Sequence, residues 1–287
     1  MALPVAECRR LTIDSHLHVW STGDAPYPLL QRPPPELATA ATYQLLRDAA
    51  RAAAVDGAVI VQPANHGFDH SYVSSALKAE PAFFRGCLLA DPTLPPREAV
   101  RELERLHADG FVAARFNPAL FPEGMDSPVG HALFERAGEL GMPVGVMAFG
   151  GLVPQLPAIR ALVAKSPKTK LIVDHFGFFR QPATGGLVGE AAENSEEAWA
   201  ALLGLAASKQ VYVKVSALFR VSAELPPFLD LQPRLADLLR AFGPSRLMWG
   251  SDFPFVTIGG NSPTQCAVDY KQAAETLSYW SVDGLDE

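Results

Sequence analysis

Eight short apolar or β-branched runs, each followed by a longer stretch of helical periodicity, constrain this chain more than any other feature. The runs are Leu11–His18, Gly57–Gln62, Phe84–Ala90, Phe111–Phe116, Val144–Ala148, Lys170–His175, Val211–Ser216 and Leu247–Ser251. Helical patterns lie near Ala41–Ala54, Ser71–Glu80, Pro96–Ala108, Val129–Leu140, Pro154–Lys165, Ser195–Ser208 and Gln232–Phe242, and an eighth is expected after Ser262. Such alternation implies a parallel sheet with helices packed on it. Eight units are enough to close the sheet, which predicts an α/β TIM (β/α)8 barrel, one domain over residues 1–287. An open doubly wound sheet is the alternative, and it wants a glycine-rich phosphate turn after the first strand. That strand instead runs into His16-Leu17-His18-Val19-Trp20, and no GxGxxG, P-loop or GxSxG pattern occurs anywhere.

Local punctuation agrees with the barrel. Asp126-Ser127-Pro128 offers a cap followed by proline at a helix start, and Gly141 stands where that helix should stop. Asn194-Ser195 with Glu197 opens another helix with an acidic first turn. Two long loops, the proline-rich Trp20–Ala40 and the glycine-rich Phe176–Asn194, follow strand ends. In a barrel the strand C-termini form the catalytic face.

Composition removes several function classes. At 48% hydrophobic and 19% charged residues the chain is too apolar for disorder. A net charge of −7 without a dense Lys/Arg stripe argues against nucleic acid as partner. Cys8, Cys87 and Cys266 are odd in number and far apart, which reads as reduced thiols rather than a disulfide framework or a cysteine-rich zinc site. No run approaches the ~18 apolar residues of a membrane span. Met1–Arg10 lacks a signal-peptide core, so a cytoplasmic location is expected.

Four titratable side chains fall at predicted strand ends. In Asp14-Ser15-His16-Leu17-His18, alternation places residues 14, 16 and 18 on one face, where two imidazoles could share one metal ion. Val173-Asp174-His175-Phe176-Gly177 closes the sixth strand; a satisfied core histidine, or an Asp174 facing a helix, is the plain alternative. Trp249-Gly250-Ser251-Asp252-Phe253-Pro254 closes the eighth, where an aspartate could equally serve an Asx turn. Closure sets strands one and eight side by side, so His16, His18, His175 and Asp252 should converge. Arg115 ends the fourth strand, Lys214 and Ser216 share parity on the seventh, and Arg180 and Arg220 follow the sixth and seventh. Guanidinium groups there suit an anionic substrate, although long basic side chains also pair with rim acids. Burial of Arg115 in a strand would demand a partner. His66, with Gln62, Asn65 and Asp69, is a candidate substrate contact whose residues are also good turn and cap formers.

Taken in order, these segments, together with Val61-Gln62-Pro63-Ala64-Asn65-His66-Gly67, Arg115-Phe116-Asn117 and Tyr212-Val213-Lys214-Val215-Ser216, resemble the amidohydrolase superfamily. Within it the likeness is to the amidohydrolase-related family, nearest the branch of 2-pyrone-4,6-dicarboxylate lactonases and sugar lactonases. The resemblance implies a distorted barrel that hydrolyses an ester or lactone. His16 and His18 match the first-strand histidines, His175 the sixth-strand histidine, and Asp252 the base for the hydrolytic water. Arg115 and Arg220 fall where substrate carboxylates bind, and Arg180 matches loosely. The fifth strand, Val144-Gly145-Val146-Met147-Ala148, lacks the ligand of two-metal members. What remains is a single Zn²⁺ on His16, His18 and Asp252, or no metal. The resemblance also implies a shortened final helix.

The expected chemistry is attack on a lactone carbonyl by water that Asp252 deprotonates. His16, His18 and His175, or one metal ion, would stabilise the oxyanion, and Arg115 and Arg220 would hold a substrate carboxylate. The alternatives are a zinc-dependent decarboxylase of the same superfamily and a silent barrel that binds a small anion. The expected partner is a small anionic molecule, with neither nucleic acid nor membrane.

Overall fold

In the computed structural model the residues described are 10–39, 41–179, 196–259 and 267–285. Eight strands run in sequence order around one parallel sheet: β1 (Ile13–Leu17), β2 (Gly57–Val61), β3 (Phe84–Leu89), β4 (Phe111–Phe116), β5 (Val144–Val146), β6 (Leu171–Val173), β7 (Val211–Ser216) and β8 (Leu247–Gly250). The main helices between them are α1 (Tyr43–Ala52), α2 (Ser71–Ala79), α3 (Pro96–Ala108), α4 (Pro128–Glu139), α5 (Leu156–Lys165), α6 (Glu196–Gly204), α7 (Leu218–Val221), α8 (Gln232–Phe242) and α9 (Tyr270–Glu275). The predicted (β/α)8 barrel is therefore the observed fold.

Strand residues such as Leu17, Ile60, Ala114, Val146, Val173 and Val213 are fully buried. Each larger aliphatic side chain among them contributes roughly 1.5–3 kcal/mol through burial. That reservoir offsets the cost of the polar cluster at the strand ends. Ser127 accepts from the Gly130 amide with Pro128 at the first helical position, so α4 starts as its sequence predicts. It stops at Gly141, whose φ of 73° is glycine territory.

The sheet closes between β1 and β8, just past the end of β8. The His18 amide donates to Phe253 O at 2.7 Å, and the Asp252 amide donates to His16 O at 2.8 Å. Ser15 Oγ donates to Trp249 O. Gly250 makes this approach possible, because a Cβ there would lie 2.7 Å from His16 Cβ and 2.9 Å from His16 N. The closing bonds thus run through the same backbone that carries His16, His18 and Asp252.

One sequence expectation needs correction. β1 carries one extra residue between Asp14 and Leu17 relative to β2, a bulge that breaks strict alternation. Asp14 therefore does not join the two histidines. Its carboxylate accepts from the His16 amide, the Ser251 amide and the Tyr270 hydroxyl, tying β1 to β8 and α9. The four-residue helix α7 was not foreseen, and it is the element that carries Arg220. The helix predicted over Ser195–Ser208 has its regular part in α6, with one tighter turn after it. After β8, α9 is six residues long and packs on α1.

Candidate active site

Three histidines meet at the mouth of the barrel. The His16 ring lies 5.2 Å from that of His18 and 4.4 Å from that of His175, centre to centre. His16 and His18 come from the bulged end of β1, His175 from the turn after β6 and Asp252 from the turn after β8, and all four are buried. His18 Nε2 stands 3.5 Å from Asp252 Oδ1, and His16 Nε2 stands 4.0 Å from the same oxygen. The structure thus brings together the four residues that the sequence placed at strand ends.

Two of them sit on strained backbone. His175 has φ 51° and Asp252 has φ 60°; Ala217, at the end of β7, has φ 52°. A left-handed non-glycine residue costs on the order of 1–3 kcal/mol and persists only where its surroundings hold it. Here the strain turns the chain sharply at three neighbouring strand ends. It brings His175 and Asp252 to the mouth and starts α7 toward it.

Behind the histidines lies a second buried layer. Arg115 Nε donates to Asp174 Oδ2 at 3.0 Å. Lys214 Nζ lies 3.4 Å from Asp174 Oδ1 and 3.0 Å from His16 Nδ1. Ser216, two residues along β7, puts its hydroxyl 2.7 Å from His175 Nδ1. Period-two geometry thus sets two β7 side chains behind two different histidines. On the opposite side, Arg220 Nε donates to Asp252 Oδ2 at 3.0 Å. Its guanidinium also covers the rings of Phe219 and Phe255.

The electrostatics follow from burial and from these partners. Burial alone would raise the Asp252 carboxyl; the Arg220 guanidinium first, and then a contact from His18, more than offset it, holding the carboxyl well below its usual range. Asp174 shows the same balance: burial raises it, while Lys214, His16 and Arg115 together hold it well below. Burial, with Lys214 adding to it, pushes His16 well down. Burial also pushes His175 down to about 4, so it is neutral near pH 7. Arg115, Lys214 and Arg220 face Asp174 and Asp252, which among the described residues leaves one positive charge in excess. Both arginines are anchored through Nε, and among the described residues neither terminal NH₂ fork has a hydrogen-bond partner. Each fork can take a carboxylate in bidentate fashion.

The remaining predicted contacts stand differently. Lys214 turns its Nζ toward His16 and Asp174, inside the protein, rather than toward a ligand. His66 stacks on Tyr72, and its two ring nitrogens bind Pro28 O and the Ser21 amide. It fastens the proline-rich loop and has no ring nitrogen left for a substrate. Gln62 donates to Gly67 O and Asp69 O, and Asn65 donates to Gln31 O, which is loop chemistry as well. Arg180 lies outside the described residues. The residue that sequence reading underrated is Asp174. The available signal was the requirement that buried Arg115 and Lys214 find a carboxylate.

His16, His18 and Asp252 bring ligand atoms within 4.8 Å of one another, a His-His-Asp group of the kind that holds a divalent ion. His18 is set for this, since Nδ1 donates to Val61 O at 2.8 Å and leaves Nε2 as the lone-pair atom. His16 stands differently: Lys214 Nζ, a donor, lies 3.0 Å from its Nδ1, so a metal ion on Nε2 would need the ring proton on the side that the lysine faces. Of the three donors, His18 and Asp252 fit a metal ion as arranged, and His16 fits one only against that lysine.

The amidohydrolase family model matches residues 13–278. An L-fucono-1,5-lactonase from Burkholderia ambifaria is 32% identical over 118 residues, 40% of this chain and 37% of that protein, so the match spans little more than a third of that relative. A 4-sulfomuconolactone hydrolase from Hydrogenophaga intermedia is 27% identical over 84% of this chain and 74% of its own. A solved structure from Pseudomonas putida assigned as a 2-pyrone-4,6-dicarboxylic acid hydrolase superposes with a TM-score of 0.70 at 28% identity, over 94% of this chain and 91% of its own.

Proposed function

The chain belongs to the amidohydrolase family, and we propose that it hydrolyses a lactone, or a related small cyclic ester, that carries at least one carboxylate. The observation behind this reading is the one-sided grip on Asp252. Arg220 holds Oδ2, while Oδ1 faces His18 and His16 and, among the described residues, meets no lysine or arginine. A water beside Oδ1 gives up a proton to Asp252 as its oxygen attacks the lactone carbonyl. The tetrahedral oxyanion is met by N–H groups of the imidazole cluster in a site where water is largely displaced. Collapse breaks the ring C–O bond, and the departing alkoxide recovers the proton from Asp252. The product is the open hydroxy acid, and the carboxylate base is regenerated.

The free forks of Arg115 and Arg220 and the excess positive charge support an anionic substrate. The names of the relatives support a ring ester as its class. A zinc-dependent decarboxylase would need a firm metal ion. The Val144–Val146 strand offers no extra ligand for it, and the lysine behind His16 works against one.

The test is acid release from a panel of lactones that pairs each carboxylated compound with its uncharged analogue. We expect turnover confined to, or strongly favouring, the carboxylated members. Hydrolysis of none of them, by a protein shown to be folded, would sink the reading.

A further inference from the structure

We propose that Lys214 is a positioning residue that locks His16 as the Nε2–H tautomer, making it a fixed hydrogen-bond donor to the reacting oxygen and withholding it from any metal ion. The catalytic half of this inference rests on the lactone-hydrolysis reading; the tautomer half does not.

A lysine ammonium has three donors and no lone pair, so a nitrogen it approaches must be an acceptor. Lys214 Nζ is 3.0 Å from His16 Nδ1, whereas the Asp174 oxygen that could instead accept from that nitrogen is 3.5 Å away. The shorter contact has hydrogen-bond length and the longer one does not. Asp174 Oδ1 accepts no hydrogen bond among the described residues and stands 3.4 Å from Lys214 Nζ, an ion-pair contact. A neutral imidazole with a bare Nδ1 carries its proton on Nε2. That atom is fully buried and has no partner among the described residues, 4.0 Å from Asp252 Oδ1. It is a donor aimed at the place where the attacked carbonyl develops charge. An N–H held there in advance costs no reorganisation when the oxyanion forms. The proton stays on His16 throughout.

His18 has the opposite polarity, since its Nδ1 donates to Val61 O and its Nε2 stays free to accept. The two histidines of the HxH pair are therefore an acceptor and a donor, and it is the partner behind each ring that makes them different.

Two measurements decide the matter. In protein labelled with ¹⁵N-histidine, long-range ¹H–¹⁵N correlation spectra report which ring nitrogen carries the proton, with His16 assigned by its disappearance in His16→Gln. We expect Nε2–H in the wild type; a His16 protonated on Nδ1 overturns the inference. Second, the metal-stripped wild type is expected to show no cobalt d–d absorption when titrated with Co²⁺. Lys214→Met, which removes the donor but keeps the bulk, should gain a four- or five-coordinate cobalt spectrum near one equivalent. A wild-type chain that takes up one tight Co²⁺ through His16 also overturns it. Should Lys214→Met fail to fold, the wild-type spectra decide alone. Where a lactone substrate has been found, Lys214→Met should lose roughly 10- to 100-fold in kcat with little change in KM. Absence of any lactone turnover would fell the hydrolysis reading while leaving the tautomer measurement standing.

Discussion

Two aspartates sit at neighbouring levels of the same barrel mouth, and they are held differently. Asp174, after β6, has Arg115 on one oxygen and Lys214 beside the other. Asp252, after β8, has Arg220 on one oxygen and, among the described residues, only imidazoles beside the other. Both are buried, both are flanked by a histidine and both meet an arginine Nε at 3.0 Å. The difference is a single cation. Asp174 is neutralised on both sides and serves as a counter-ion that fixes its neighbours. Asp252 keeps one face open toward groups that could share a water with it. A carboxylate's role at such a site is read from the lone pairs its neighbours leave free more than from burial or charge alone.

The largest effects should come from removing each carboxylate in turn, and they should differ in kind. Asp252→Asn keeps the fold and loses roughly 10²–10⁴-fold in turnover, the usual worth of a positioned base. Unchanged kcat on a confirmed substrate would remove Asp252 from the chemistry. Asp174→Asn leaves Arg115 and Lys214 buried without a full counter-charge, and breaking a buried pair in this way costs about 3–5 kcal/mol. Urea unfolding of the two variants beside wild type checks both statements at once. An Asp174→Asn protein as stable as wild type would mean that Asp174 is not the counter-ion described here.

That contrast also marks how far the sequence could be read. Barrel order, all eight strands and the convergence of His16, His18, His175 and Asp252 follow from periodicity, from where histidines and aspartate fall at strand ends, and from closure. The bulge after Asp14 does not, because one inserted residue leaves the apolar pattern intact while reversing which side chains face the mouth. Nor does α7, four residues long, have a period to detect. Lys214 and His66 are expected from the sequence to bind substrate, but whether each meets a ligand or a neighbour depends on distances of a few ångströms that no sequence pattern encodes. Asp174 was hidden for a related reason. An acid between an apolar strand and a histidine reads as a cap until the basic residues that need it are placed in space.

A more moderate effect should separate the arginines from the carboxylates they grip. Arg115→Gln and Arg220→Gln each remove a free fork, and a hydrogen bond to a charged group contributes about 1.5–3 kcal/mol. Each change should raise KM for a carboxylated lactone by roughly 10- to 100-fold and leave an uncharged analogue, where it turns over at all, much less affected. Arg220→Gln should in addition lower kcat, because it frees the second oxygen of the reacting carboxylate. Arg115→Gln should not, since Lys214 still holds Asp174. Equal effects of both variants on kcat would erase the distinction drawn between the two aspartates.

The smallest expected difference concerns pH. His70 and His175 are pushed down to about 4 by burial, and His16 is also held well below its ordinary value. A histidine depressed in the folded state makes the unfolded chain the better proton binder between its ordinary value and its folded one. Stability therefore falls as pH drops from about 6.5 toward 4, by up to about 1.4 kcal/mol per pH unit for each such group. Asp14 works against this, because burial raises its carboxyl to about 6 and the folded state binds the proton first. Its contribution is present at low pH and is lost as pH rises through about 6. Asp174 and Asp252 are held below the ordinary carboxylate range, so they remain ionised in the folded state throughout this window. In the unfolded chain they are protonated only near its lower end. From pH 6.5 to about 5, then, unfolding free energies of wild type and Asp174→Asn should run parallel, offset by the lost counter-ion and equal in slope. His70→Gln, remote from the two aspartates, should flatten the slope, because one of the depressed histidines is gone. A slope that changes in Asp174→Asn would mean that this carboxylate takes up a proton in the folded protein, and the comparison between a closed and an open aspartate would fail at its first premise.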